Sequence, residues 1–238
     1  MLIHSKPTIL WDFDRTLAQR PSERYILLQV LDDYLPGHTI TAEHIRPFLK
    51  NKFPWNSPEQ AHPELSTPGK WWDKVEGLFA EAYIGAGIDP QDARVFANLV
   101  HERYIKPEGF ILYDDTVQAL EELAAWGWQH VVLSNHMPEL PAIVEGLGLG
   151  HLIGLCLTSA NTGYEKPHPQ AFFTALEATG YPPKIWMVGD NYKFDVCGAA
   201  AIGLPAILVH NDLPPDAPPG NYAATLLDAV KIINEAGI

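Results

Sequence analysis

The chain is poor in cysteine. Cys156 and Cys197 are the two thiols in 238 residues, too few for a disulfide framework or a thiolate zinc site, so a reducing cytoplasm is the expected compartment. Long apolar runs are missing too. None approaches the ~20 residues needed to span a bilayer, so no membrane partner is expected. Met1 to Leu10 has no basic segment, apolar core and small-residue cleavage site, which speaks against a secretory leader. Nor is there a surplus of positive charge. Sixteen Lys and Arg face 29 Asp and Glu, a net charge of −13, and nucleic acid or an anionic membrane would need a basic face. Taken at face value, the same deficit argues against any anionic substrate. The phosphate loop G-x-x-x-x-G-K-[ST] is absent. Gly146, Gly148, Gly150 and Gly154 follow a helical pattern and read as helix stop and strand entry, not as G-x-G-x-x-G. The ten histidines show no H-E-x-x-H spacing, and no internal repeat is visible.

What the chain does have is apolar material, 47% of its residues, with 19% charged, enough for a sizeable core. Thr8–Phe13, His130–Asn135, Leu152–Thr158, Ile185–Asp190 and Ala206–His210 are short apolar runs that predict strands buried on both faces. Helical patterns over Asp115–Trp126, Pro138–Leu147, Pro167–Thr179 and Phe194–Ile202 alternate with them, and a last helix over Ala223–Ala236 follows a proline-rich loop, Asn211–Asn221. That alternation predicts an α/β fold, a doubly wound parallel sheet. Residues 18–112 break it. They hold no convincing strand and four amphipathic helical patterns, Pro21–Leu35, Thr41–Phe53, Lys70–Tyr83 and Pro90–Ile105. Between the second and third of these, Pro54, Pro58, Pro63 and Pro68 make Phe53–Gly69 a loop and a candidate lid. The expected organisation is an α/β core of residues 1–17 and 113–238, with residues 18–112 as a helical domain over the end of the first strand. Cys156 and Cys197 fall in elements expected to be buried and read as packing residues.

In open parallel sheets the site lies beyond the carboxyl ends of the strands. Three predicted strands end there in polar residues: Asp12-Phe13-Asp14-Arg15-Thr16, Ser134-Asn135 and Gly189-Asp190. In extended chain Asp12 and Asp14 point the same way. Two carboxylates met by a third, Asp190, are costly unless a cation neutralises them. An oxygen-rich, sulfur-free cluster suits Mg²⁺, which binds through a few carboxylates and substrate phosphate.

With these residues in hand, the whole chain resembles the haloacid dehalogenase superfamily. Asp12-Phe13-Asp14-Arg15-Thr16-Leu17 is similar to its nucleophile motif D-x-D-x-T. Ser134 is similar to the second motif, Lys166 in Glu165-Lys166-Pro167-His168-Pro169 to the third, and Gly189-Asp190 with Asp195 to the fourth, G-D-x-x-x-x-D. Arg15 stands where many relatives have Gly and reads as a surface residue. The resemblance implies a Rossmannoid core with a helical cap of the first type at residues 18–112. It implies Asp12 as the nucleophile that forms an aspartyl phosphate, Asp14 as general acid and base, and Ser134 with the amide of Asn135 as phosphoryl holders. Lys166 would neutralise the accumulating charge. Mg²⁺ would be held by Asp12, the backbone carbonyl of Asp14, and Asp190. Asp195 would orient Lys166 or metal-bound water, and Thr16 would brace the loop. His168, between two prolines, reads as a helix start.

The activity so implied is Mg²⁺-dependent hydrolysis of a small phosphorylated metabolite. A phosphomutase would carry the same motifs, and a non-catalytic binding protein on this fold would not be expected to keep them intact. The superfamily's haloacid dehalogenases lack the second aspartate and need no metal. For the insert, Trp55, Trp71, Trp72, Arg24, Arg46, Lys50, Lys52, His44 and His62 are the candidate substrate contacts, with at least one of Trp71 and Trp72 in the insert's core. Splitting the charge revises its first meaning. Residues 18–112 hold 10 cations and 13 acids, and the remainder 6 and 16. Four of the latter acids are the proposed site. Within the insert, residues 44–74 carry five cations and three acids, the stretch where a substrate-facing surface is expected.

Overall fold

The computed structural model describes residues 6–215, 217 and 221–237. Residues 1–5 of the expected leader-free N-terminus, and residues 216 and 218–220 of the proline-rich loop, lie outside the described residues. The first strand, β1 (Thr8–Trp11), is wholly buried. The chain then makes a two-residue strand β2 (Ala18–Gln19) and enters four helices, α1 (Glu23–Tyr34), α2 (Ala42–Leu49), α3 (Pro68–Gly85) and α4 (Pro90–Tyr104), before returning through β3 (Ile111–Leu112). From there strands and helices alternate: α5 (Thr116–Ala125), β4 (Gln129–Ser134), α6 (Leu140–Gly146), β5 (Ile153–Thr158), α7 (Ser159–Thr162), α8 (Pro169–Ala178) and β6 (Ile185–Gly189). A π-helical turn, Tyr192–Cys197, leads into the short α9 (Gly198–Ala200), followed by β7 (Ala206–Val209), β8 (Asn221–Ala223) and α10 (Leu226–Glu235).

The six long-range strands form one parallel sheet in the order β5-β4-β1-β6-β7-β8. The chain runs outward from β1 to one side through β4 and β5, and to the other through β6, β7 and β8. The strand order therefore reverses beside β1, which opens a crevice at its carboxyl end. Alternation along β1 sorts its side chains between two apolar layers. Leu10 packs with Phe172, Met187 and Ala199 on one face, while Ile9 and Trp11 join Leu120, Ile207 and Ile233 on the other. The second layer runs on without a break into the helical insert through Leu27, Phe79 and Tyr83. Register places Trp11 opposite both Val132 and Val188. Asp12, Ser134 and Asp190 therefore emerge together, one or two residues beyond that line.

The doubly wound sheet with a helical insert agrees with the fold class read from sequence, and several particulars differ. Residues 18–112 do contain strand: β2 and β3 pair antiparallel, Ala18 with Leu112 and Gln19 with Ile111, at the neck of the insert. The first residue of the expected last helix, Ala223, ends β8, which pairs to β7, and the helix itself begins at Leu226. The expected helix Phe194–Ile202 is a π-helical turn plus one short α-turn. Helix α2 ends at Leu49, and Asn51 lies beyond it in the left-handed region at φ 59°. The proline-rich segment forms two 3-10 turns, Pro54–Asn56 and Pro63–Leu65, and Pro68 opens α3. Proline's fixed φ and missing N–H suit that first helical position. Cys156 is only half-buried and Cys197 is exposed, so neither is the core residue expected.

A buried histidine ties β1 to β4. The Trp11 indole N–H donates to His130 Nδ1 at 3.0 Å, and Nε2 lies 3.0 Å from the Leu120 carbonyl. Nδ1 accepts, so the ring is neutral with its proton on Nε2. Burial pushes its pKa down to about 4. Below pH ~6.5 the unfolded chain takes up a proton that the folded chain refuses, so stability falls as pH drops from ~6.5 towards 4. The contribution lost is roughly 3 kcal/mol at most. Urea midpoints of the wild type and His130→Gln between pH 7.5 and 4.5 check this. The variant is expected to be the less stable at pH 7.5 and to show the shallower pH dependence, and equal slopes would contradict the account.

Candidate active site

Beyond β1 the chain turns sharply. The Phe13 carbonyl accepts the N–H groups of Thr16, Leu17 and Ala18. The tight loop needs Arg15 at φ 61°, a left-handed conformation that glycine adopts at lowest cost. Arg15 is two-thirds exposed, yet its Nη2 lies 2.8 Å from Asp190 Oδ2, so the surface residue expected there also reaches a site carboxylate. Thr16 is fully buried. Its hydroxyl accepts the Asp190 N–H at 3.0 Å and its carbonyl lies 3.1 Å from His210 Nε2, which locks the β1 loop to the end of β6.

The centre of the site is Lys166, 2% exposed. Its Nζ lies 2.9 Å from Asp12 Oδ1 and 2.6 Å from Asp195 Oδ1. Burial alone would push the ammonium down, but the charges of Asp12 and Asp195 outweigh it and hold Lys166 above the ordinary lysine range. Its backbone is clamped by Asn135, which accepts the Lys166 N–H at 2.6 Å and donates to the Lys166 carbonyl at 2.8 Å. Asp195 is fully buried, and its second oxygen accepts the Asn191 N–H at 2.9 Å. Gly189 is required here, because a Cβ at that position would overlap the Asp195 carboxylate. Ser134 Oγ donates to Asp12 Oδ1 at 2.8 Å. With Oδ1 taken by Ser134 and Lys166, Asp12 Oδ2 has no partner among the described residues.

Asp14 faces the same cavity with a side chain about one-third exposed. That exposure is to the cavity, where surrounding protein still leaves the carboxyl poorly solvated. Desolvation raises its pKa, helped by the Asp12 charge and opposed chiefly by Arg20. Asp190 is also raised, to about 6, by burial and then by Asp12. Asp195 rises for the same two causes. These carboxyls titrate high chiefly because they are buried, with the neighbouring Asp12 charge adding to the effect. Asp12, Asp190 and Asp195 offer oxygens that all lie within 4.8 Å of one another. Both Asp195 oxygens are already committed to Lys166 and Asn191, which leaves Asp12 and Asp190 the freer donors. An all-oxygen, electron-rich set of this kind fits Mg²⁺.

All the core residues expected from sequence come together: Asp12, Asp14, Ser134, Asn135, Lys166, Asp190 and Asp195 line one cavity of about 400 Å³, with Thr16 behind them. The insert behaves differently. Trp55, Trp71 and Trp72 line the cavity, but the basic and histidine candidates do not. Arg24, Arg46 and Lys50 border a separate surface depression, Lys52 pairs with Glu81, His44 caps α2, and the backbone of His62 bonds Gly163. The basic side chains of residues 44–74 therefore do not face the site, and the tryptophans of that stretch do. Trp71 and Trp72 are nearly buried and belong to the core as well as the cavity wall.

Several cavity residues escaped the sequence reading, Arg20 and His136 among them. Arg20 leaves the neck of the insert, its guanidinium 3.5 Å above the Tyr104 ring and Nη1 donating to the Tyr104 carbonyl at 3.2 Å. Its signal was position, since residues just past β2 must lie over the end of β1. His136, two residues past Ser134, is buried with Nε2 3.4 Å from Asp14 Oδ2. Burial, and then Arg20, push its pKa down to about 3 and keep it neutral. Asn211 was also missed; it donates to the Asp190 carboxylate at 3.1 Å.

A family model described as haloacid dehalogenase-like hydrolase matches residues 7–203. The chain belongs to the haloacid dehalogenase-like hydrolases. Among curated relatives, it is 37% identical over 146 residues to a phosphoserine phosphatase of Thermus thermophilus, covering 60% of this chain and 57% of that protein. It is 29% identical over 156 residues to haloacid dehalogenase-like hydrolase domain-containing protein 3 of Danio rerio, covering 61% and 63%. The matches thus span less than two thirds of either relative's length. Among solved structures, a 2-haloacid dehalogenase from Pseudomonas syringae pv. Tomato superposes with a TM-score of 0.70 at 19% identity, over 97% of this chain and 99% of that one. The Bacillus subtilis HAD-hydrolase YfnB, bound to magnesium, gives 0.68 at 18% identity over 96% and 99%. These likenesses establish the fold, a HAD core with a helical cap. Among the described residues no helix is long and apolar enough to cross a membrane.

The Lys166 pair yields a stability prediction. Lys166→Met leaves Asp12 and Asp195 buried without their counter-charge and is expected to cost about 3–5 kcal/mol. Adding Asp195→Leu to that variant is expected to return part of the loss. Denaturant unfolding of the single and double variants measures both, and strictly additive losses would refute the coupling.

Proposed function

We propose that this HAD hydrolase is a Mg²⁺-dependent phosphatase that cleaves a small-molecule phosphomonoester through an aspartyl phosphate on Asp12. The observation that carries the reading is the division of labour between two neighbouring aspartates. Asp12 lies 2.9 Å from the Lys166 ammonium and accepts the Ser134 hydroxyl, and Asp14 has a raised pKa and opens to the cavity. The ion pair suits Asp12 to the nucleophile's role, and the desolvated Asp14 carboxyl suits the general acid's. The phosphatase named among the curated relatives supports the same reading.

In this account Asp12 Oδ2 attacks phosphorus while Ser134 and Lys166 hold Oδ1 and fix the carboxylate plane. The P–O bond to the alcohol breaks, and Asp14 gives its proton to the departing oxygen. Asp14, now ionised, takes a proton from water, which attacks the acyl phosphate and frees Asp12. Lys166 and the amide of Asn135 stabilise the phosphoryl oxygens as charge builds on them. Mg²⁺, held by Asp12, Asp190 and the Asp14 carbonyl, would neutralise phosphate charge. Asp195 keeps Lys166 in place. Trp72, whose indole N–H donates to Glu139 Oε1 at 3.0 Å, fastens the cap over the site and helps to exclude water.

A 2-haloacid dehalogenase shares the fold, but that chemistry has no use for an acid such as Asp14. Hydrolysis of 4-nitrophenyl phosphate is expected to require Mg²⁺, to cease on chelation and to return on its re-addition. Asp12→Asn is expected to keep its circular dichroism and lose about 10⁴-fold or more in kcat, with 2-haloacids releasing no halide. Activity undiminished by chelation, or halide release at enzymatic rates, would overturn the reading.

A further inference from the structure

We propose that the alcohol released from the phosphoester has a compact aromatic or apolar body, lodged against a wall formed by Trp55, Trp71, Trp72 and Tyr104, and is not a polyol. The inference rests on the phosphatase reading and specifies its substrate class. The cavity has two unlike halves. Its floor is the carboxylates with Ser134 and Lys166, and its cap side is those four aromatic residues with Val75, bordered at the neck by Arg20, Pro21, Ser22 and Glu23. None of the cap's basic residues between 44 and 74 lines it.

Two of the polar groups beside the wall are already engaged, while the buried Ser22 hydroxyl has no partner among the described residues. The Trp72 indole N–H is given to Glu139. Arg20 spends Nη1 on the Tyr104 carbonyl and its face on the Tyr104 ring. The aromatic faces are also fixed before any ligand arrives. Trp55 stacks on Phe53 at 4.4 Å, Trp71 sits 6.1 Å from Trp55, and Trp72 stacks on His101 at 3.6 Å. A rigid aromatic wall favours a flat or apolar body at little ordering cost. A sugar or glycerol moiety would set several hydroxyls against indole faces that offer them nothing, and an apolar pocket can disfavour a single added hydroxyl by up to about 100-fold. Ser22 and Glu23, where α1 begins, could serve a single polar substituent. The competing class is an amino-acid phosphate, whose carboxylate would pair with the Arg20 N–H groups that Tyr104 does not take.

The test compares kcat/KM for 2-phenylethyl phosphate, glycerol 3-phosphate, glucose 6-phosphate and O-phosphoserine, all alkyl phosphates, in the wild type and in Trp55→Ala. Trp55 is half-buried, so its loss should spare the fold. Acetyl phosphate, which carries almost no body, reports phosphoryl transfer independently of the wall. The expected result is a preference of about tenfold or more for the phenylethyl ester, and a fall of at least about fivefold in that preference in Trp55→Ala, through KM. Turnover of acetyl phosphate with equal or better use of a polyol ester or phosphoserine would overturn the substrate class while leaving the phosphatase reading intact. An unchanged preference in Trp55→Ala would overturn the role of the wall. Failure on every ester and on acetyl phosphate would overturn both readings.

Discussion

A lysine ammonium buried between two carboxylates organises this molecule. Removing Lys166 from water is expensive, and the cost is offset only if both Asp12 and Asp195 stay within hydrogen-bonding reach. That requirement explains features far apart in sequence. Asp195 can sit there because Gly189 has no side chain and because the Asn191 amide takes its other oxygen. Lys166 can sit there because Asn135 grips its backbone from β4. Asp12 can sit there because β1 occupies the middle of the sheet, level with the ends of β4 and β6. Burial, with the Asp12 charge adding to it, raises the pKa values of Asp14, Asp190 and Asp195. In the proposed reading a divalent cation would relieve that crowding of carboxylates and meet the substrate phosphate.

Most of the core was legible in the sequence because its strands are buried on both faces and end in polar residues at one edge of the sheet. Asp12, Ser134 and Asp190 could be placed on strand ends, and Lys166 by its resemblance to a motif, without knowing which strand neighbours which. What escaped was short or set by tertiary contacts. Strands β2, β3 and β8 are two or three residues long, below the length at which alternation can be seen, and each exists because a partner lies beside it. The turn after Asp190 looked helical by composition. It winds as a π-helix as Asn191 caps Phe194 and Asp195 is drawn towards Lys166.

The cap teaches a separate lesson about charge. Its basic stretch suggested a phosphate-facing surface, yet those side chains meet solvent, a local acid or a helix cap. In the proposed phosphatase, attraction for phosphate would come from the core, from Lys166 and the cation the aspartates would hold. The cap supplies shape, an aromatic wall anchored on its own core and tied to the floor by Trp72 and Glu139. Arg20 is the exception, and it lies at the neck where the two halves of the chain meet. The strongly acidic composition and an anionic substrate are therefore compatible, because the acids that matter carry positive charge with them.

The central claim is that a phosphoryl group passes through Asp12. It is tested most directly by quenching the enzyme in acid during turnover of a phosphoester, reducing with borohydride, and sequencing the peptide around β1 by mass spectrometry. An acyl phosphate at Asp12 is reduced to homoserine, so the account predicts homoserine at position 12 in samples quenched during turnover and aspartate there without substrate. Steady hydrolysis with aspartate alone at that position, in Asp14→Asn enzyme slowed to accumulate the intermediate as well as in wild type, would contradict it.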